Sequence, residues 1–94
     1  MFPSPAQIRA ARAMLDWSLI DLAKAAGVSV SAVLRAEGRD PEQVTDGTRG
    51  AMRVAMETAG VRFLEDDENG AGVLLREALR SERTPKLNDR RIRV

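Results

Sequence analysis

The chain of 94 residues contains no cysteine and no histidine. Without cysteine it has no disulfide scaffold, no thiolate nucleophile and no cysteine-ligated metal site. Without histidine it lacks the side chain that most often shuttles protons or binds metals near neutral pH. Only 3% of the residues are aromatic, too few for a platform on which bases stack. We therefore expect no enzyme, no cofactor and no bound metal.

The sequence also lacks a long apolar run, and we expect no secretory leader. No stretch approaches the roughly 20 apolar residues that cross a bilayer. The first four residues, Met1 to Ser4, include neither the basic residues nor the apolar stretch that begin a signal peptide. We therefore expect a cytoplasmic protein that makes no membrane contact.

The charge is balanced overall but uneven along the chain. Fifteen Lys and Arg residues against 14 Asp and Glu residues give a net charge of +1. Residues 1–39 carry +2, residues 40–70 carry −5 and residues 71–94 carry +4. Because a near-neutral total can conceal a basic face, this balance neither establishes nor excludes nucleic-acid binding. A chain this short buries a modest share of its surface, so a partner subunit would add stability.

The first part of the chain predicts three helices. Ser4 and Gln7 form a capping-box pattern, with Pro5 at the first helical position, for a helix over residues 4–16. Two shorter helices follow at 18–26 and 29–37. Each has a serine as its cap and a glycine as its stop, in the order Ser18, Gly27, Ser29 and Gly38. The expected inward residues are Ile8, Ala11, Leu15, Trp17, Leu22, Ala23, Ala26, Val33 and Ala36.

The second part predicts one more helix and a hairpin. A fourth helix runs from about Thr48 to Ala59, with Met52 and Met56 facing the core. The apolar period then shortens, which predicts strands over Val61–Leu64 and Val73–Arg76. The polar turn between them contains Asn69 and Gly70, a strong hairpin signal. We interpret its acidic run at residues 65–68 as a solvated turn, because it lacks the spaced ligands of a calcium loop.

The two short helices joined by Gly27 and Val28 are the most informative feature, because two short helices with a glycine-containing turn form a helix-turn-helix. The sequence resembles the lambda-repressor-like, xenobiotic-response-element (Xre) family of bacterial and phage transcriptional regulators over about residues 5–60. The resemblance lies in Gln7 to Arg12, Trp17-Ser18, Asp21 to Ala23, Ala26 to Ser29 and Arg35 to Glu37.

This resemblance implies a mainly α fold, a four- to five-helix bundle of the Xre helix-turn-helix type followed by a short C-terminal β-hairpin. Residues 1–60 would be the DNA-binding domain. Residues 61–76 would be the hairpin, our candidate for a dimer contact. Residues 77–94 would be a basic, partly flexible segment.

The resemblance also implies a sequence-specific regulator that binds double-stranded DNA. We expect it to act as a homodimer, because one domain of this size contacts few base pairs and a two-fold dimer doubles that number. The helix at about 29–37 would enter the major groove, and Arg35 would bind guanine. The DNA-binding residues carried over are Ser18, Leu19, Ser29, Val30, Ser31, Leu34, Arg35 and Arg39. The N-termini of the helices at 18–26 and 29–37 would bind phosphate groups of the DNA. The candidate phosphate-binding side chains are Arg9, Arg12, Lys24 and Arg39.

The sequence departs from this family at the expected DNA-facing surface. Leu19 stands where the family commonly has glutamine, and polar residues are usual in place of Val30 and Leu34. With Ile20, these residues would form an exposed apolar cluster, which more often marks a protein contact. The alternative function is therefore a protein-binding helix-turn-helix module, of antiactivator or antitoxin type, that uses Leu19, Ile20, Val30 and Leu34.

Overall fold

The computed structural model describes residues 2–68 and 70–76 of the chain, and its first element is helix α1 (Pro5–Leu15). The predicted capping box is present: the Gln7 backbone N–H donates to Ser4 Oγ at 3.1 Å, and the Ser4 N–H donates to Gln7 Oε1 at 2.9 Å. The helix ends at Asp16, which adopts the left-handed conformation with φ 62°. The predicted first helix is confirmed.

Helices α2 (Leu19–Ala26) and α3 (Val30–Leu34) follow, separated by a three-residue turn. The turn begins at Gly27, whose φ of 70° suits a residue without a Cβ atom. Serine hydroxyl groups cap both helices, as predicted: Ser18 Oγ accepts from the Asp21 N–H and Ser29 Oγ accepts from the Ala32 N–H, each at 3.0 Å. These local signals therefore fix where both helices begin.

The predicted third helix is only partly regular α-helix, although its predicted stop, Gly38, is where the helical geometry ends. Regular α-helix stops at Leu34, and residues Arg35–Arg39 continue as a wider π-type turn in which Gly38 leaves helical geometry. The Asp40 N–H bonds to the carbonyl of Arg35, five residues earlier, at 3.3 Å. A short 3-10 turn, Pro41–Gln43, then connects this π-type turn to the next helix. Arg35 itself still has helical backbone angles, so it extends the surface of α3.

Helix α4 (Asp46–Thr58) begins two residues before its predicted start. Thr45 is the cap, and its hydroxyl oxygen accepts from the Thr48 N–H at 3.2 Å. The two glycines at 47 and 50 weaken the sequence signal in the first turn without preventing the helix. Met52 and Met56 are fully buried, as predicted.

The described chain ends in an antiparallel hairpin of β1 (Val61–Leu64) and β2 (Gly72–Leu75). Val61 pairs with Leu75 and Leu64 with Gly72, so β2 begins one residue before its predicted start. The Gln7 side-chain amide of α1 donates to the carbonyl oxygens of Leu64 and Gly72, at 2.8 and 3.0 Å. The predicted turn residue Asn69 and the segment 77–94 lie outside the described residues.

The core lies between the helices and one side of the hairpin. Trp17 is partly buried against this core, in agreement with its prediction as a core residue, and Ala26 is half-buried. The buried apolar residues are Ile8, Ala11, Leu15, Leu22, Ala23, Val33, Ala36, Val44, Met52, Met56 and Val61. The predicted mainly α fold with a small hairpin is therefore confirmed at this level. In the part of the chain that the structure describes, no helix has the length and apolar character needed to cross a membrane.

Candidate functional site

Helix α3 is buried on one side and exposed on the other. Val33 has no exposed surface and anchors the helix to the core. Four side chains point away from it and form what we call the outer face of α3: Val30, Ser31, Leu34 and Arg35, all exposed. Val30 and Leu34 are four residues apart, as are Ser31 and Arg35, so each pair lies along one row of the helix surface. The structure thus brings together four of the residues predicted to bind DNA.

Arg9 of α1 extends the outer face of α3. It lines a shallow concavity together with Ser31, Leu34 and Arg35. One guanidinium nitrogen of Arg9 donates to the backbone carbonyl of Glu37, but most of the side chain is exposed. The Arg35 guanidinium has no hydrogen bond or ion pair with any residue in 2–68 or 70–76. Two cationic groups therefore border the same surface, and that of Arg35 is open to a ligand.

A second arginine of α1 holds the end of α3 in place. Arg12 and Glu37 form a two-point ion pair, with Nε to Oε2 at 2.6 Å and Nη2 to Oε1 at 3.1 Å. Arg12 Nη1 also donates to the carbonyl of Trp17 at 3.1 Å. Glu37 is only 7% exposed, and its hydrogen bond raises the pKa of Arg12, so the pair stays charged. Glu37 therefore acts in this fold as one half of an ion pair.

The same contacts correct the prediction that Arg12 binds phosphate. Its guanidinium is committed to Glu37 and to the Trp17 carbonyl. Arg12 and Glu37 are 25 residues apart in the chain, so no local signal pairs them. Lys24, another predicted phosphate contact, is exposed on α2. The side chain of Arg39, predicted to bind DNA, lies outside the described part of the structure.

The N-terminus of α2 is not the free phosphate-binding site that the sequence predicted. The Ser18 N–H donates to the Asp21 carboxylate at 2.8 Å, so an anionic group already stands there. This bond and that of the Ser18 hydroxyl lower the pKa of Asp21, which keeps the carboxylate ionised. A phosphate would meet a negative charge at this helix end. At the N-terminus of α3 the capping group is the hydroxyl of Ser29. The hydroxyl oxygens of Ser18 and Ser29, both predicted to bind DNA, each accept a hydrogen bond from a backbone N–H of their own helix.

The predicted apolar cluster is divided by the fold. Ile20 is 55% exposed, Leu34 51% and Val30 37%. Leu19, in contrast, is half-buried and packs against the core. Its predicted place in a ligand-facing cluster is therefore wrong in part: the side chain helps to fix α2, because the first turn of that helix lies against the core.

The described residues offer a recognition surface, and no cluster of three Asp or Glu residues among them could hold a metal ion. The outer face of α3 combines a guanidinium fork, a hydroxyl group and two apolar side chains. A guanidinium fork matches two adjacent acceptor atoms, such as those of a base edge, a phosphate or a carboxylate. No model of a known protein family matches the chain, and neither does any curated protein sequence.

Proposed function

We propose that the chain is a sequence-specific DNA-binding transcriptional regulator in which α2, the turn at Gly27 and α3 act as the helix-turn-helix. The observation that carries this proposal is the outer face of α3, where the guanidinium of Arg35 is exposed beside Arg9 and forms no ion pair with the residues that the structure describes. In helix-turn-helix proteins the second helix enters the major groove and its side chains contact base edges. The resemblance of residues 5–60 to the Xre family supports the same assignment.

In this proposal Arg35 donates two hydrogen bonds to O6 and N7 of a guanine. Ser31, in the same row of the helix, contacts a base or a phosphate. Arg9 and Lys24 contact phosphates, which position the protein without reading sequence. The ion pair of Arg12 and Glu37 keeps α3 fixed against α1, so the fork of Arg35 is presented from a rigid support.

The proposed DNA-bound form is a homodimer on a two-fold related site, in the cytoplasm, with no catalytic activity. One helix of five residues reads only a few base pairs. A two-fold dimer doubles that number and produces an operator with two half-sites about one helical turn apart.

The proposal is tested by fluorescence anisotropy with the chain's own upstream DNA and a scrambled duplex, over a range of salt concentrations. We expect tighter binding to the upstream DNA and an affinity that falls with salt. Arg35→Ala should lose about 1–3 kcal/mol of discrimination between the two duplexes. Arg35→Lys keeps the charge but not the fork, so it should keep the salt dependence and lose the discrimination.

A control variant, Arg62→Ala, removes an equal charge from an exposed position on β1 and should leave discrimination unchanged. Weak binding that is equal for both duplexes and disappears at physiological salt would overturn the proposal.

The exposure of Ile20, Val30 and Leu34 favours a second candidate, a protein-binding module on the same scaffold. Ile20→Glu with Leu34→Glu then abolishes partner binding and leaves the fold intact, because both side chains are about half exposed. Leu19→Glu is unsuitable for this test, since Leu19 packs against the core. Pull-down with the wild-type chain and the double variant distinguishes the two candidates.

A further inference from the structure

We infer that the outer face of α3 reads the 5-methyl groups of pyrimidines next to the guanine bound by Arg35. This inference rests on the proposed DNA-binding function and adds the chemistry of the site it selects. It starts from an observation that hydrogen bonding to DNA leaves unexplained: Val30 is 37% exposed and Leu34 51% exposed on the surface that carries Arg35.

The charges around these apolar side chains favour DNA as the partner. Arg9 and Arg35 line the concavity into which Leu34 projects, and the one carboxylate there, that of Glu37, is buried and paired with Arg12. Among the described residues that line it, the concavity beside the outer face of α3 therefore presents positive charge without an accessible negative charge. Such a surface complements a polyanion better than it complements an average protein surface.

Within a major groove, the apolar group that a side chain such as Val or Leu can contact is the 5-methyl of thymine. Methylated cytosine carries the same group at the same ring position. Val30 and Leu34 are four residues apart, which corresponds to about 6 Å along the helix axis. Base pairs are stacked about 3.4 Å apart, so the two side chains span at most about two base steps. Arg35 follows Leu34 directly, so the guanine lies next to the methyl group that Leu34 contacts.

The test uses the full chain and duplexes selected by it from a random library. Each thymine of the selected site is replaced in turn by deoxyuridine, which removes only the methyl group. We expect the affinity to fall about fourfold at each methyl that Val30 or Leu34 covers, the effect of burying one methyl-sized group. Cytosine and 5-methylcytosine at the same positions distinguish a thymine site from a methylated-cytosine site.

Substitution in the protein then assigns the effect to a side chain. In Leu34→Ala the penalty for deoxyuridine should disappear at one position and persist at the others, as a double-mutant cycle measures. Val54→Ala is the matched control, because Val54 is 59% exposed on α4 and lies outside the outer face of α3. It should keep the full penalty at every position.

The outcomes separate this inference from the function on which it rests. Selection of no duplex overturns both and favours a protein partner. Selection of a duplex that binds equally well with every thymine replaced overturns the methyl contact and leaves the regulator. A penalty that is unchanged in both Val30→Ala and Leu34→Ala also overturns the assignment to this face.

Discussion

At the scale of single residues, the ion pair of Arg12 and Glu37 makes a testable contribution to stability. Glu37→Ala leaves the Arg12 guanidinium, 24% exposed, with no counter-charge. Breaking a buried pair from one side typically costs 3–5 kcal/mol, and the partial exposure of Arg12 places the expected loss near the lower end, at about 3 kcal/mol. Urea unfolding followed by circular dichroism measures it.

The double variant Arg12→Met with Glu37→Met is the control for this prediction. Replacing both charges by apolar groups of similar size should recover most of the lost stability, because no buried charge is left unpaired. If the single and the double variants are equally destabilised, packing of the side chains rather than the charge pairing holds α3 to α1.

Asp21 makes a pH-dependent contribution at the same scale. Its pKa in the folded chain lies below the unfolded value of 3.8, because the Ser18 N–H and hydroxyl group bind the ionised carboxylate. The contribution is therefore present above the unfolded pKa and is lost as the pH falls through the folded pKa. We expect the unfolding free energy of the wild type to fall more between about pH 5 and pH 2 than that of Asp21→Asn, as denaturant titrations at each pH would show. Equal slopes would contradict it.

At the scale of elements, Gln7 joins the start of α1 to the hairpin. Its amide donates to the carbonyl oxygens of Leu64 and Gly72, while its Oε1 completes the capping box with Ser4. Gln7→Glu keeps the acceptor for Ser4 but places a carboxylate against two carbonyl oxygens. We expect a loss of about 1–3 kcal/mol, with faster hydrogen exchange confined to the amides of β1 and β2.

The complementary variant for this prediction is Ser4→Ala, which removes the cap hydroxyl and keeps both bonds from Gln7 to the hairpin. It should cost about 1 kcal/mol through fraying of α1 and leave exchange in the strands unchanged. Faster exchange across the whole chain in Gln7→Glu would show that the hairpin unfolds with the helices as one unit.

The helices also show which parts of the fold can be predicted from the sequence. Helix starts depend on a hydroxyl group and the amide three residues on, so Ser4, Ser18 and Ser29 predict them from sequence alone. The π-type turn at Arg35–Arg39 was not predicted, although Gly38, the predicted stop, is where the helical geometry ends. Asp16 in the left-handed conformation has no sequence signal comparable to Gly27.

The candidate site likewise has residues whose positions the sequence predicts and residues whose positions depend on tertiary contacts. Once the helical period places Val33 in the core, Ser31 must face outward and Leu34 must lie to the side, and both are exposed. Val30, three residues before Val33, lies on nearly the same side of the helix, so the period alone does not predict its exposure of 37%. Whether Leu19 is exposed depends on how the first turn of α2 meets the core, which the period does not determine. Arg12 forms an ion pair with Glu37 instead of remaining free for phosphate, and this tertiary contact has no signal in the sequence.

At the scale of the whole molecule, the hairpin is our candidate for the dimer contact. Within the described residues, β2 pairs only with β1, so the backbone groups on its other edge have no partner strand. An edge of this kind pairs readily with another strand. Leu74 on β2 is 48% exposed, which adds apolar surface at the same place. A two-fold axis perpendicular to this edge would pair the β2 strands of two chains in antiparallel fashion and so join their hairpins.

Leu74→Lys tests this arrangement, because a lysine on the edge opposes pairing with a second copy. We expect sedimentation equilibrium to show a wild-type dimer that forms with rising concentration, and a dissociation constant at least about tenfold higher for the variant. Val54→Lys, the same charge change at an exposed residue of α4, should leave the dissociation constant unchanged. A wild-type chain that stays monomeric at high concentration would exclude the hairpin contact.

The dimer and DNA predictions are linked through the number of half-sites. If the hairpin joins two copies, Leu74→Lys should weaken binding to a duplex with two half-sites far more than binding to a single half-site. Each copy keeps its own outer face of α3, so contacts within one half-site survive while the advantage of two linked contacts is lost. Equal weakening on both duplexes would mean that Leu74 acts on the DNA-binding surface itself, and the two-fold arrangement would then require another contact.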